Sequence, residues 1–409
     1  MTIANTATTT TAAKPARSRK KVEAIASTPS ATAFHASVPQ EQLKRALAKA
    51  QHAVASKSTM PVLGNVLLVA AGSQLTISAT NLEIGIVVSL AAQVTRDGAI
   101  TLPAKLLADV VGSLPNETIA MDMDARDMSV KLTCGAFAAT IKGIAAEEFP
   151  TLPTLDHCAP IATLAPEALC SAISQVAFAA CSDETRPVLT SVRIRLADTS
   201  ASFAAADSFR IAFRAIALER PVARRQEVMA PARAMIALGK VLGDVDGQVA
   251  MLIDTGDQVV FRSEEVTLLA RCINGTYPAV DRYLNPTASP TVVEIETKEL
   301  ARAVKLASFF ASASANVVRV QLARVDDDKG RLTISANAAE VGDNTSAHDA
   351  TIRGAGGVVA LNATYLADAI DAIATPRIAI HYSSAQQPII VTGVGDETYI
   401  HVAMPMTVR

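Results

Sequence analysis

Tryptophan is absent, and ten Phe and five Tyr leave aromatic residues at only 4% of 409. Hydrophobic residues nevertheless make up 50%, so a core is built from Ala, Val, Leu and Ile, with few rings left over to stack on exposed bases. The cysteines, Cys134, Cys158, Cys170, Cys181 and Cys272, are odd in number, widely spaced and without a C-x-x-C pair. This excludes a disulfide framework or a zinc knuckle and fits a reducing cytoplasm. No apolar run reaches the ~18 residues of a membrane-spanning helix, and no membrane partner is expected. Residues 1–33 lack the apolar stretch of a signal peptide; Thr/Ala/Ser-rich, with Lys14, Arg17, Arg19, Lys20 and Lys21 against Glu23 alone, they read as a disordered basic tail. An excess of one charge is also missing: 37 Lys+Arg against 39 Asp+Glu leave −2, so no global field recruits nucleic acid.

What the chain does have is length and repetition. At this length two to four domains are expected, and one pattern recurs three times. The first copy has a helix from Gln40, strands through 62–69 and 74–80, the segment Asn81-Leu-Glu-Ile-Gly-Ile86, and a second helix after Leu102-Pro-Ala104. The second has a helix from Pro166, strands through 188–194 and 202–206, then Asp207-Ser-Phe-Arg-Ile211 and Ala230-Pro-Ala-Arg233. The third has Thr297-Lys-Glu-Leu300, strands through 317–322 and 331–336, Asn337-Ala-Ala-Glu340 and Leu361-Asn-Ala363. Leu43, Leu169 and Leu300 are 126 and 131 residues apart; Pro103, Pro231 and Asn362 are 128 and 131 apart. Period-2 strands alternating with two amphipathic helices per copy define an α+β fold of three repeated domains, placed at 34–155, 156–285 and 286–409 after a tail of 1–33.

Charge is segregated among these elements. The six candidate helices (39–57, 103–114, 166–181, 231–242, 297–311, 362–373) sum to +4, the tail to +4 and everything else to −10. In the first helix Leu43, Leu47, Ala50 and Val54 share one side while Lys44, Arg45 and Lys49 occupy the other; in the fifth, Leu300, Val304 and Ala307 oppose Lys298, Arg302 and Lys305. A mildly positive helical face with few aromatics suits phosphate contact without base reading. The sixth helix, with Asp368 and Asp371, does not fit that lining.

Seven motifs, in order, resemble those of the bacterial DNA polymerase III beta subunit family, the replicative sliding clamps. They are Met60-Pro-Val-Leu-Gly-Asn65 with Ala79-Thr-Asn-Leu-Glu-Ile-Gly85, Glu148-Phe-Pro-Thr-Leu-Pro153, Arg186-Pro-Val-Leu-Thr190, Ala206-Asp-Ser-Phe-Arg-Ile211, Asn274-Gly-Thr-Tyr-Pro278, Ser335-Ala-Asn-Ala-Ala-Glu-Val-Gly342 and His401-Val-Ala-Met-Pro-Met406. The resemblance covers residues 34–409 and implies the DNA clamp fold, in which a head-to-tail homodimer makes a six-domain ring, helices inside and sheets outside, around duplex DNA. It implies a cytoplasmic, nucleoid-associated processivity factor without cofactor, metal or catalytic residue. Its partners would be the polymerase catalytic subunit, the clamp loader, repair polymerases and mismatch-repair proteins, docking peptides of the type Gln-Leu-x-Leu-Phe.

The family's peptide pocket matches Leu189, Ala206, Ser208, Phe209, Arg210 and Ile211 of the second domain, and Asn362, Tyr365, Val402, Met404, Pro405 and Met406 of the third. Adaptable Met side chains suit one pocket to several anchors. Ala206, Ser208 and Phe209 replace the family's frequent Thr, Gly and His, and Asn285 a usual Pro, which bears on partner preference. For DNA, Lys57 matches a basic loop residue, with Lys44, Arg45, Lys49, Lys105, Arg233, Lys298, Arg302 and Lys305 as helix candidates. Phe137, Phe309 and Phe310 are the candidate anchors of the dimer contact.

An enzyme is the rival class. No G-x-S-x-G, H-E-x-x-H or phosphate-loop motif is present, and the six His have no ligand spacing. Asp122-Met-Asp-Ala-Arg-Asp127 and Asp326-Asp-Asp328 lack the Gly and terminal Glu of a calcium loop and read as hairpin turns. Asp183 and Glu184 beside Arg186 read as a loop salt bridge.

Overall fold

The computed structural model describes residues 33–153, 158–254, 257–326 and 328–407. The basic tail up to residue 32, the boundary placed at 155/156, and His157 and Asp327 lie outside the described residues.

Among the described residues six α-helices occur in three packed pairs: α1 (Gln40–Ala50) with α2 (Ala104–Ser113), α3 (Pro166–Val176) with α4 (Ala232–Val241), and α5 (Thr297–Ala311) with α6 (Ala363–Asp371). The helices are short, and their amphipathic faces are what hold them to the sheets. In α1 Leu43, Ala46, Leu47 and Ala50 are buried while Lys44 and Arg45 are exposed. Pro103 and Pro231 stand immediately before α2 and α4; at the equivalent place before α6, Asn362 Oδ1 accepts the amides of Thr364 and Tyr365 at 2.9 and 3.2 Å.

Two helices are shorter than the sequence predicts. The first breaks down into a 3-10 turn at Gln51–Ala53 and turns extended at Val54 (φ −74°, ψ 134°), which puts Lys57 in a loop. The third ends at Val176, followed by a 3-10 turn at Ala177–Ala179. The starts of two expected strands are also 3-10 turns, Pro61–Gly64 and Pro187–Thr190, because each Pro fixes φ and has no N–H to give a ladder; the strands begin at Asn65 and Ser191.

The described strands form sheets of five, eight and twelve, all their pairings antiparallel. The two larger sheets cross the domain junctions. Val266–Arg271 of the second copy pairs with Ile84–Ala91 of the first, and Asp396–Ala403 of the third pairs with Arg210–Ala217 of the second. The repeat extends to single hydrogen bonds. Arg271 N–H donates to Glu83 O at 3.0 Å and Ile273 N–H to Met229 O at 2.8 Å; at the next junction Met404 N–H donates to Phe209 O and Met406 N–H to Ala360 O, both at 2.8 Å.

Two strands lack, among the described residues, the pairing that their counterparts make across a domain junction. Phe137–Lys142, the counterpart of Val266–Arg271 and Asp396–Ala403, pairs only with Ser129–Cys134. Gly342–Arg353, the counterpart of Ile84–Ala91 and Arg210–Ala217, pairs fully with Lys329–Ala338 but on its other side only at Thr351, Ile352 and Arg353. The chain therefore carries a free strand at one end and a free strand edge at the other.

Candidate peptide pocket and DNA-facing helices

The helices cover one face of the sheets. On the opposite face, at the junction of the second and third domains, Ala206, Ile211 and Val402 are buried in a small cluster with Met229, Tyr277, Val280, Ile390 and Ile400. Alternation along the strands sends these side chains outward while Ala205, Ala212 and Ala403 face the helices. At its rim Phe209 is 58% and Met404 40% exposed, joined by the Met404–Phe209 backbone bond. These two apolar side chains are what a docking segment would meet first. Ser208 is exposed, its hydroxyl bonded by Arg186, and Leu189, Pro405 and Met406 are half-buried.

Arg210 has a different place from the one a free pocket residue would take. Its guanidinium is bonded to Asp207 at 3.1 Å, to Asp368 of α6 and to Phe178 O at 2.8 Å, and it lies 4.4 Å from the Tyr365 ring centroid and 5.3 Å from that of Phe178. It ties the second domain to α6, and so does Tyr365, whose phenol is raised above its ordinary pKa by burial first and by Asp207 next. Beside them the fully buried His401 stacks on Phe178 (centroids 5.9 Å, planes 10° apart); burial, then the Arg210 charge, push its pKa down to about 3, so it is neutral. Asp368, the acid of α6 that does not fit a positive lining, is thus a junction residue.

Behind the cluster, Arg193 is 2% exposed and meets Asp281 through two hydrogen bonds of 3.1 and 2.6 Å; Arg195 reaches the same carboxylate at 3.2 Å and Glu227 at 2.9 Å. The Arg193 hydrogen bond, outweighing the opposing effect of burial, holds the Asp281 carboxyl below its usual pKa. This network clamps the segment bearing Tyr277 and Val280 over the sheet. Sequence reasoning missed it and His401. A charged residue alternating with Val192, Ile194 and Leu196 looks like an ordinary solvated position until a linker is seen to cover it.

Of the basic candidates, Lys44, Arg45, Lys105, Lys298, Arg302 and Lys305 are exposed on α1, α2 and α5, and Lys57 is exposed in its loop. Lys49 and Arg233 are engaged within the chain instead: Lys49, 11% exposed, pairs with Asp244 at 2.7 Å, and Arg233 pairs with Glu83. Both sit where the first two domains meet, and charges brought together at a junction pair off. Phe137 is 58% exposed at the start of the free strand; on α5 Phe309 is 63% exposed and Phe310 half-buried. Asp183 and Arg186 form the expected loop ion pair at 3.2 Å, all five cysteines are free, and among the described residues no group of three or more His, Cys, Asp or Glu could hold a metal. No helix among them is long and apolar enough to cross a membrane.

A threefold α+β repeat with paired helices on one face and sheets continuous across the junctions defines the clamp class of architecture. The chain matches the family models of the DNA polymerase III beta subunit in all three parts, N-terminal at 34–153, central at 163–279 and C-terminal at 282–407, and it belongs to that family. It is 33% identical over 377 residues to the beta sliding clamp of Synechococcus elongatus, covering 90% of this chain and 98% of that protein. Among solved structures, the DNA polymerase sliding clamp of Bacillus subtilis superposes with a TM-score of 0.85 at 25% identity, covering 92% of this chain and all of that one. The beta subunit from the DNA polymerase of Streptococcus pyogenes gives 0.84 at 26%, over 91% of this chain and all of that one. The function is that of a sliding clamp in DNA replication, a non-catalytic processivity factor.

Proposed function

We propose that two copies close head to tail into a six-domain ring around duplex DNA, the free strand Phe137–Lys142 of each adding to the free edge of Gly342–Arg353 in the other. The repeat carries this reading: the same two strands are already joined at both junctions within the chain, so a third junction of the same kind needs a second copy. Phe137 and Phe309 supply apolar surface at the two ends, with Phe310 beside them. The domains divide at 34–155, 156–285 and 286–409. Lys44, Arg45, Lys57, Lys105, Lys298, Arg302 and Lys305 face the DNA and meet phosphates irrespective of sequence. Light scattering should give twice 42.6 kDa, and a monomer at all salt concentrations would sink the ring.

The outer pocket around Ala206, Ile211, Val402, Phe209 and Met404 docks peptides of the Gln-Leu-x-Leu-Phe type carried by the polymerase catalytic subunit, the clamp loader, repair polymerases and mismatch-repair proteins, in the cytoplasm at the nucleoid. Phe209 and Met404, apolar and exposed side by side, support it. The double change Phe209→Ala and Met404→Ala should weaken binding of such a peptide at least tenfold by fluorescence anisotropy while the dimer persists. Unchanged affinity would place the site elsewhere.

A further inference from the structure

The outer face of each sheet carries a groove, and in the first two domains it is filled by the chain leading into the next domain. In the first, Leu152 lies over Gly85, so close that a Cβ on Gly85 would come within 3.1 Å of its Cδ2, and Phe149 is buried beside it in the same segment. In the second, Tyr277 and Val280 pack on Ala204, Ala206, Ile211 and Met229. The strand registers put Arg319, Ser335, Asn337 and Asp343 of the third domain at the places of Arg193, Ala204, Ala206 and Ile211. Here the groove is open, a cavity of about 830 Å³ that Met406 enters from one side, and its floor is polar where the second domain's is apolar.

Spacing names the occupant. Phe149 and Leu152 precede Ala162, the first residue of the next domain's first strand, by 13 and 10 residues; Tyr277 and Val280 precede Thr291 by 14 and 11. The corresponding strand of the first domain starts at His35. Counting back from it, 13 and 10 residues give Val22 and Ile25 and 14 and 11 give Lys21 and Ala24; Val22 and Ile25 are the only Val, Leu, Ile, Met or aromatic residues between Ile3 and Phe34, and they set the register. In a closed ring the chain that enters a first domain beside a third domain's groove comes from the other subunit.

We propose that residues 20–32 of each subunit cross the open groove of its partner's third domain, with Val22 and Ile25 where Phe149 and Leu152 sit in the first domain and Tyr277 and Val280 in the second. The inference rests on the head-to-tail ring. The polar floor suits this occupant: Ser335, Asn337 and Thr345 can bond the backbone of a segment rich in Ser, Thr and Ala, and Asp343 offers a carboxylate to Lys20 and Lys21. The tail thereby becomes an intersubunit strap, doing between chains what the linkers do within one. The family match begins at residue 34, so the strap is an addition to the shared clamp body.

The test mixes two full-length variants, one with Ile25→Cys and one with Asn337→Cys, under mild oxidation. Mass spectrometry should find a peptide joining residues 25 and 337, and none when Thr9→Cys replaces Ile25→Cys. In parallel, the double variant Val22→Asp with Ile25→Asp should exchange subunits between fluorophore-labelled dimers several-fold faster than the parent, with an unchanged circular dichroism spectrum. A dimer of normal mass that gives no 25–337 link, or whose exchange rate ignores the double change, overturns the strap and leaves the ring standing. A monomer in light scattering removes both.

Discussion

Arg210 and His401 carry most of the junction chemistry between the second and third domains, and Arg193 holds down the segment that leads from one to the other. His401 has its pKa lowered from 6.5 to about 3, so the folded chain binds fewer protons there than the unfolded one. The resulting stability is fully present above the unfolded value and is lost as the pH falls from ~6.5 toward 3. His401→Phe, which keeps the stack on Phe178, should flatten this acid limb in melting curves recorded from neutral to about pH 4; an unchanged limb would assign the acid sensitivity to carboxylates such as Asp281. Arg193 tests burial of a charge. Asp281→Ala leaves a guanidinium that is 2% exposed without its carboxylate. Removing one partner of a buried pair costs about 3 kcal/mol, whereas Glu227→Ala, which touches only the 40%-exposed Arg195, should cost well under about 1 kcal/mol by chemical denaturation.

Among the elements, the helices and the threefold repeat were readable from apolar spacing because Leu43, Leu169 and Leu300 recur on equivalent turns and each helix has one buried stripe. The strand starts at Pro61 and Pro187 were not, since Val62-Leu63 and Val188-Leu189 have the composition of a strand while the Pro before them enforces a turn. The pocket was half legible. Its apolar members follow from the family motifs, but the roles of Arg210 and Tyr365 as cross-domain ties depend on partners more than 150 residues away, such as Asp368 for Arg210. The same holds for Lys49 and Arg233, whose acids belong to the neighbouring domain. Among the described α-helices, α6 is the one whose N-cap side chain, Asn362, bonds the first turn, and Asn362→Ala should lower the unfolding free energy by about 1 kcal/mol. Phe137→Asp at the free strand should raise the dimer dissociation constant at least tenfold in dilution experiments, because it puts a charge into an apolar contact that the edge ladder alone must then hold.

For the whole molecule, a net charge of −2 hides exposed Lys44, Arg45, Lys105, Lys298, Arg302 and Lys305 on the helices that the proposed ring turns inward. A closed ring needs little affinity to stay on DNA, and weak phosphate contact permits sliding. Each neutralised phosphate adds ~0.9 to the salt dependence of binding, so replacing Lys298, Arg302 and Lys305 by Ala should flatten the log–log salt slope of binding to linear duplex by about 2 to 3. Retention on a closed circle after loading should hardly change. Loss of retention on the circle would mean that charge, not topology, keeps the ring in place.

The sheets that run unbroken across the two internal junctions decide where such a ring can give way. Five residue pairs join the strands at each of those junctions, and a covalent linker with its buried aromatic, Phe149 or Tyr277, lies over each. A junction between subunits has the strand pairing without the peptide bond. Under a load that pries the ring apart, the internal junctions act as rivets and the intersubunit seams as hinges, so the molecule opens as two stiff three-domain arcs rather than as six loose segments.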